Sequence, residues 1–109
     1  MPHIIVEYSK TLEPKIPALL SSLHEALAAQ GIDKARIKTR GIALSHADVG
    51  EDGAGGQMMH ATLLLLAGRD LETKKRYGDA LHGLMKKTAP PHCAVTLEIR
   101  DMDPDTYYL

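Results

Sequence analysis

Phenylalanine and tryptophan are absent from this chain, and four tyrosines are its whole aromatic supply. A surface that reads nucleic-acid bases by stacking them on aromatic rings is thereby excluded, and an aromatic cage for a cation is disfavoured. The core has to be aliphatic, built from Leu, Ile, Val, Ala and Met. Cysteine occurs once, at Cys93, so there is no intrachain disulfide framework and a reducing cytoplasm is the expected location. No apolar run approaches the ~20 residues of a membrane span, and the first residues lack a signal-peptide pattern. Formal net charge is −1 with no basic block, which points away from nucleic acid and anionic membrane as partners.

Metal sites are equally poorly supplied. His3, His24, His46, His60, His82 and His92 show no ligand spacing, and His92-Cys93 is a pair without partners. Asp48, Asp52 and Gly53 faintly suggest a calcium loop, but Met59 stands where the closing glutamate belongs. The glycines of this stretch do not make a phosphate cradle either, since Glu51 and Asp52 bring the wrong charge and a strand follows. Cys93 has no cationic helix end beside it and reads as a small packing residue. No metal and no organic cofactor is expected.

What is present is a set of short, well-punctuated elements. The 109 residues are expected to form one domain, residues 1–109, burying about 65% of the unfolded-chain surface. His3 to Tyr8 is β-branched and reads as a strand. Thr11 is placed to cap a helix whose first turns hold Pro14 and Pro17. Ile16, Leu19, Leu20, Leu23 and Leu27 fall at helical spacing until Gly31. Arg36 to Leu44 is extended, with Gly41 a candidate bulge. Asp48 to Gln57 is expected as a mobile loop, and Met58 to Ala67 as a second apolar strand. Asp70 caps a second helix that presents Leu71, Gly78, Leu81, Leu84 and Met85 inward and ends at Pro90-Pro91. Val95, Leu97 and Ile99 alternate with Thr96, Glu98 and Arg100 in a half-buried strand.

The order β-α-β-β-α-β is internally repetitive. Ser9-Lys10-Thr11-Leu12-Glu13-Pro14-Lys15 aligns with Gly68-Arg69-Asp70-Leu71-Glu72-Thr73-Lys74 at an offset of 59 residues, each copy at a strand-to-helix junction. Two β-α-β halves related by a pseudo-two-fold therefore form a four-stranded mixed sheet of α/β (α+β) class, with both helices on one face. Leu63-Leu64-Leu65-Leu66 is apolar on both sides of its strand, as in sheets covered on both faces. Two helices cover one face, so another subunit is expected on the other.

Pro2, directly behind Met1, is the leading candidate for chemistry. Aminopeptidases remove a methionine that precedes so small a residue, leaving a secondary amine fixed at the head of a strand. Burial beside cations would lower its pKa towards neutrality, where a general base works best. The plain alternative is that Pro2 merely begins an edge strand, where its missing N–H costs nothing. Arg36, Lys38 and Arg40 alternate, so that all three cations share one strand face and could bind carboxylates; the alternative is a solvated edge blunted against aggregation. Arg69 sits in a strand-to-helix junction, where binding residues gather.

With Pro2, two β-α-β units and an arginine after the third strand, the chain resembles the tautomerase superfamily, and within it the 5-carboxymethyl-2-hydroxymuconate isomerases. The likeness runs through Pro2-His3-Ile4-Ile5-Val6-Glu7-Tyr8, Leu27-Ala28-Ala29-Gln30-Gly31-Ile32, Ala67-Gly68-Arg69-Asp70-Leu71-Glu72 and Leu97-Glu98-Ile99-Arg100-Asp101-Met102-Asp103-Pro104. The resemblance implies a homotrimer, with the amino-terminal proline as base and Arg69 and Arg40 holding substrate carboxylates. Lys38 stands where many relatives carry an arginine, and lysine cannot reproduce a bidentate fork. The middle loop has Gly53-Ala54-Gly55-Gly56 in place of the relatives' aromatics.

The expected activity is a cofactor-free isomerase or tautomerase shifting a proton in an unsaturated 2-hydroxy (enol) diacid, a step serving aromatic compound catabolism. Pro2 would be the base, with Arg69, Arg40 and Lys38 binding substrate. Alternatives are a tautomerase for an arylpyruvate or oxalocrotonate-like acid, and a non-catalytic regulatory domain binding a small anion.

Overall fold

The computed structural model describes residues 1–109. Four strands, β1 (His3–Ser9), β2 (Lys38–Leu44), β3 (Met58–Leu66) and β4 (Ala94–Met102), alternate with two helices, α1 (Ile16–Ala28) and α2 (Leu71–Thr88). The sheet is mixed, in the order β2-β1-β3-β4. β1 pairs parallel with β2 and antiparallel with β3, and β3 pairs parallel with β4. This is the expected β-α-β-β-α-β arrangement. Ile4 stands directly opposite Leu63, and these residues are 59 apart, the same offset as the junction repeat. The local pseudo-two-fold axis therefore passes beside that pair. No helix is long and apolar enough to cross a membrane.

Period-two alternation sorts the strands into two faces. Ile4, Val6 and Tyr8 of β1 and Met59, Ala61, Leu63 and Leu65 of β3 are buried, and so are Leu19, Leu23 and Leu27 of α1 and Leu81 and Met85 of α2. Burying each large aliphatic side chain contributes about 1.5–3 kcal/mol. Two tyrosines join this core, so it is not wholly aliphatic: Tyr8 and Tyr77 are both buried. The Tyr8 hydroxyl is satisfied by donating to Glu13 Oε1 at 2.6 Å. On the opposite face Ile5, Leu64 and Leu66 are only half-buried, and Ile42 is 49% exposed.

Local structure departs from expectation at several points. Thr11 does not cap a helix: it lies inside a 3-10 segment, Lys10–Lys15, and its hydroxyl accepts a hydrogen bond from Gln57 Nε2 at 2.7 Å. Pro14 lacks the N–H that an α-helical turn would use, and α1 begins only at Ile16, with Pro17 in its first turn. Arg36 is not on a strand. Asp33 accepts from the Ala35 N–H at 3.1 Å and turns the chain into a short 3-10 helix, Lys34–Arg36. The row of cations on β2 therefore holds two members, Lys38 and Arg40.

Gly41 is not a bulge, since it pairs in regular register with Val6. A Cβ there would lie 3.0 Å from Tyr8 Cε1 and 3.3 Å from Ile16 Cγ2. Glycine lets α1 approach the sheet. Leu71 is 67% exposed rather than inward, because Asp70 caps the helix ahead of it by accepting from the Thr73 N–H at 2.8 Å. The Asp48–Gln57 stretch, expected as a mobile loop, carries a 3-10 turn at Gly50–Asp52 and a Val49–Gly53 bridge. Gly31 closes α1 with φ of 98°, the left-handed conformation that favours glycine.

Candidate active site at the head of the first strand

β1 is an interior strand with β2 on one side and β3 on the other. Pro2 therefore does not begin an edge strand. It is fully buried, and its carbonyl accepts from the Lys38 N–H at 3.0 Å, extending the β1–β2 ladder by one rung. The amino group of Met1 donates to the Arg36 carbonyl. Burial first, then the neighbouring Lys38 and Arg36 charges, hold that amine below its ordinary value. The head of β1 is thus an environment that favours a neutral amine.

β2 is an edge strand, so Lys38 and Arg40 are exposed and would also blunt that edge. Their register gives them a second context. Lys38 stands beside His3 and Arg40 beside Ile5. Arg40 Nη1 reaches His3 Nδ1 at 3.0 Å, and His3 Nε2 lies 2.8 Å from the Tyr107 hydroxyl. The His3 and Tyr107 rings meet edge to face, 5.8 Å between centroids at 71°. Burial, followed by the charges of Arg40, the chain-start amine and Lys38, holds the His3 pKa below its usual value.

Arg69 lies at the same end of the sheet, just beyond β3. It is half-buried and turned towards α2: its Nη1 donates to the Leu66 carbonyl at 3.4 Å, and its guanidinium stands 5.9 Å from the Tyr77 ring centroid. Arg76 stands 5.8 Å from the same ring centroid. The structure thus joins Pro2 to Lys38 through the backbone and Arg40 to His3, and leaves Arg69 at the same end of the sheet without a hydrogen bond to any of them.

His3 and Tyr107 were not singled out in the sequence as site residues. Alternation alone puts His3 on the face opposite Ile4 and Val6. Its partners at positions 40 and 107 become visible only through strand register. The other ordered histidine contacts are structural, such as His24 with Thr39 at 2.8 Å and His82 with the Val95 carbonyl at 3.0 Å. Cys93 is half-buried, and burial pushes its thiol pKa up, against a smaller opposing effect of Lys15.

In the single chain the cations Lys38 and Arg40 are exposed while Pro2 is buried. A cleft of about 450 Å³ lies at the far end of the sheet, lined by Ser9, Leu44, Gln57 and His92, and includes none of Pro2, Lys38, Arg40 and Arg69.

The chain matches known proteins over nearly its full length. The model of the 5-carboxymethyl-2-hydroxymuconate isomerase family matches residues 2–108. A 5-carboxymethyl-2-hydroxymuconate Delta-isomerase of Escherichia coli is 33% identical over 103 residues, covering 92% of this chain and 79% of that protein. The crystal structure of a 5-carboxymethyl-2-hydroxymuconate isomerase from Deinococcus radiodurans R1 superposes with a TM-score of 0.89 at 28% identity, covering 99% of this chain and 87% of the other. A fused 4-OT shares the fold, with a TM-score of 0.74 at 24% identity over 93% of this chain and 85% of the other. The order of elements, the sheet topology and these likenesses agree: the chain is an isomerase of tautomerase fold and belongs to the 5-carboxymethyl-2-hydroxymuconate isomerase family.

Proposed function

We propose that the chain catalyses a proton shift in an unsaturated 2-hydroxy diacid of the 5-carboxymethyl-2-hydroxymuconate type, with the nitrogen of Pro2 as general base once Met1 has been removed. The carrying observation is the position of Pro2: buried, laddered to Lys38, and next to a Met1 amine that burial and the Lys38 and Arg36 charges hold below its ordinary value. The neutral amine takes the enol O–H proton. The oxygen's electron pair re-forms a carbonyl, the conjugated double bonds shift along the chain, and the far carbon recovers a proton from the prolinium. Atoms and charge balance, and the base is restored. The vinylogous proton is acidic enough for an amine, so the step calls for neither metal nor organic cofactor.

Arg40 and Lys38 supply positive charge for one carboxylate and for the developing enolate, and Arg69 is assigned to the second carboxylate. Arg40 is the only one of the β2 pair able to offer a planar fork. Arg69 spends one N–H on the Leu66 carbonyl, a long contact at 3.4 Å, and keeps four donors for a carboxylate.

A closed homo-oligomer, a trimer, completes the reading. The half-buried Ile5, Leu64 and Leu66 and the exposed Ile42 lie on the sheet face opposite the helices, and the exposed cations of the site need a further wall. The fused 4-OT of related fold is described as a symmetric trimer. The decisive experiment is an assay of protein whose mass confirms loss of Met1 against a panel of unsaturated 2-hydroxy diacids, beside a preparation that retains it. Turnover confined to the protein beginning at Pro2 is expected. Equal turnover in both would reject Pro2 as the base.

A further inference from the structure

We propose that Tyr107, acting through a neutral His3 protonated on Nε2, positions the Arg40 guanidinium for a substrate carboxylate; this rests on the role assigned to Arg40 above. The direction of each hydrogen bond follows by elimination. A guanidinium has donors only, so His3 Nδ1, 3.0 Å from Arg40 Nη1, must be the acceptor. A neutral imidazole carries one N–H, which is then on Nε2 and donates to the Tyr107 oxygen at 2.8 Å. Protonated His3 would turn a second N–H and a like charge on Arg40 and break the contact.

The groups around His3 keep it neutral. Arg40 and Lys38 approach from β2, the chain-start amine lies one residue or two away, Leu64 stands opposite on β3, and Tyr107 closes the remaining side. No carboxylate is among them to favour the imidazolium. The guanidinium, with donors only, selects the tautomer whose Nδ1 is free, and the Tyr107 oxygen accepts the Nε2–H and fixes the ring plane that aims Nδ1 at Arg40.

Tyr107 reaches this position by a directed path. After β4 the chain turns at Asp103, whose carboxylate accepts from the Asp105 N–H at 2.9 Å and whose carbonyl accepts from the Thr106 N–H at 3.1 Å. The segment then passes the end of β3 to meet His3 on β1. Tyr107 is half-buried there, whereas Tyr108 is 90% exposed and Leu109 is 99% exposed. Tyr107 thus fastens the segment across the head of the sheet. Arg40, exposed on an edge strand, would otherwise sample many rotamers, and ordering it before binding removes a cost from the binding step.

Two measurements on the purified protein test this: nitrogen-15 NMR of His3 without ligand, and calorimetric titration with adipate as a non-reacting dicarboxylate. The wild-type ring is expected to be Nε2-protonated and to titrate below the usual histidine range. Tyr107→Phe should leave the ring Nε2-protonated on Arg40 but free to turn, and weaken adipate about two- to tenfold, the loss of one neutral hydrogen bond. His3→Asn places an amide oxygen where Nδ1 stood. It should hold Arg40 and bind adipate at neutral pH, without the acid-pH weakening that His3 ionisation gives the wild type. An Nδ1-protonated ring in the wild type, or unchanged adipate affinity in Tyr107→Phe, would overturn the positioning role. Equal adipate affinity in Arg40→Gln and wild type would instead reject the carboxylate role of Arg40, a failure that the ligand-free tautomer distinguishes from the first.

Discussion

The N–H of Lys38 donates to the carbonyl of Pro2 at 3.0 Å, so the first rung of the β1–β2 ladder joins the proposed base to a proposed substrate-binding cation. The bond uses backbone atoms only. It places the proline ring while leaving the Lys38 ammonium and the proline nitrogen free for chemistry.

Activity should therefore rise with pH through one ionisation lying below that of a free proline amine, since burial and the Lys38 and Arg36 charges already hold the Met1 amine at this chain start below its ordinary value. The sign follows from the base being the neutral form: burial and the nearby cations destabilise the ammonium, so the active state persists to lower pH than in a free amine. A pH profile of kcat/KM checks this. Pro2→Ala, with Met1 still removed, should retain a weaker primary-amine activity with a displaced profile. A profile that is flat from pH 5 to 9 would exclude this base.

Replacing Arg40 or Arg69 by Ala should lower kcat/KM by about tenfold to a hundredfold, the loss of a charge-assisted contact of about 1.5–3 kcal/mol. Arg36→Ala should change it less than about threefold, because Arg36 is exposed in the 3-10 turn and is paired with Asp33 at 3.7 Å. Steady-state kinetics on the three variants decides the ranking. Arg69→Ala matching Arg36→Ala would remove Arg69 from the site.

Gly41→Ala should destabilise the protein by about 1–3 kcal/mol through overpacking, since the added methyl meets Tyr8 at 3.0 Å, Ile16 at 3.3 Å and Leu20 at 3.4 Å. Gly83→Ala is the matched control. It lies in α2 with nothing within 4 Å of the new methyl, and should stabilise by up to about 1 kcal/mol. Denaturant unfolding of both variants reads the difference directly.

The two faces of the sheet should respond differently to substitution. Leu63→Ala empties a fully buried core position and should cost about 2–5 kcal/mol. Ile42→Glu, on the sheet face away from the helices, should leave the fold intact and shift sedimentation towards the monomer. If wild type already sediments as a monomer at micromolar concentration, the shared-pocket reading fails.

The elements themselves were legible because their causes are local. The alternation in Val95-Thr96-Leu97-Glu98-Ile99, the spacing of Leu19, Leu23 and Leu27, and the Asp70 cap each arise within one or two turns of chain. Where reading failed, a neighbouring interaction had won. Asp33 turned the chain before Arg36 could extend, the 3-10 segment through Pro14 displaced the expected cap at Thr11, and the Asp70 cap left Leu71 facing solvent.

Pro2 and the cations Lys38 and Arg40 could be named from sequence as candidates because a proline directly behind Met1 and a period-two row of charge are chemical facts of the chain. That β1 is interior, that Gly41 lies beneath Tyr8, and that His3 links Arg40 to Tyr107 depended on pairings 33 to 104 residues apart. Local pattern assigns a side chain to a face of its own strand. Only hydrogen-bonded register decides which residue of another strand shares that face and comes within reach.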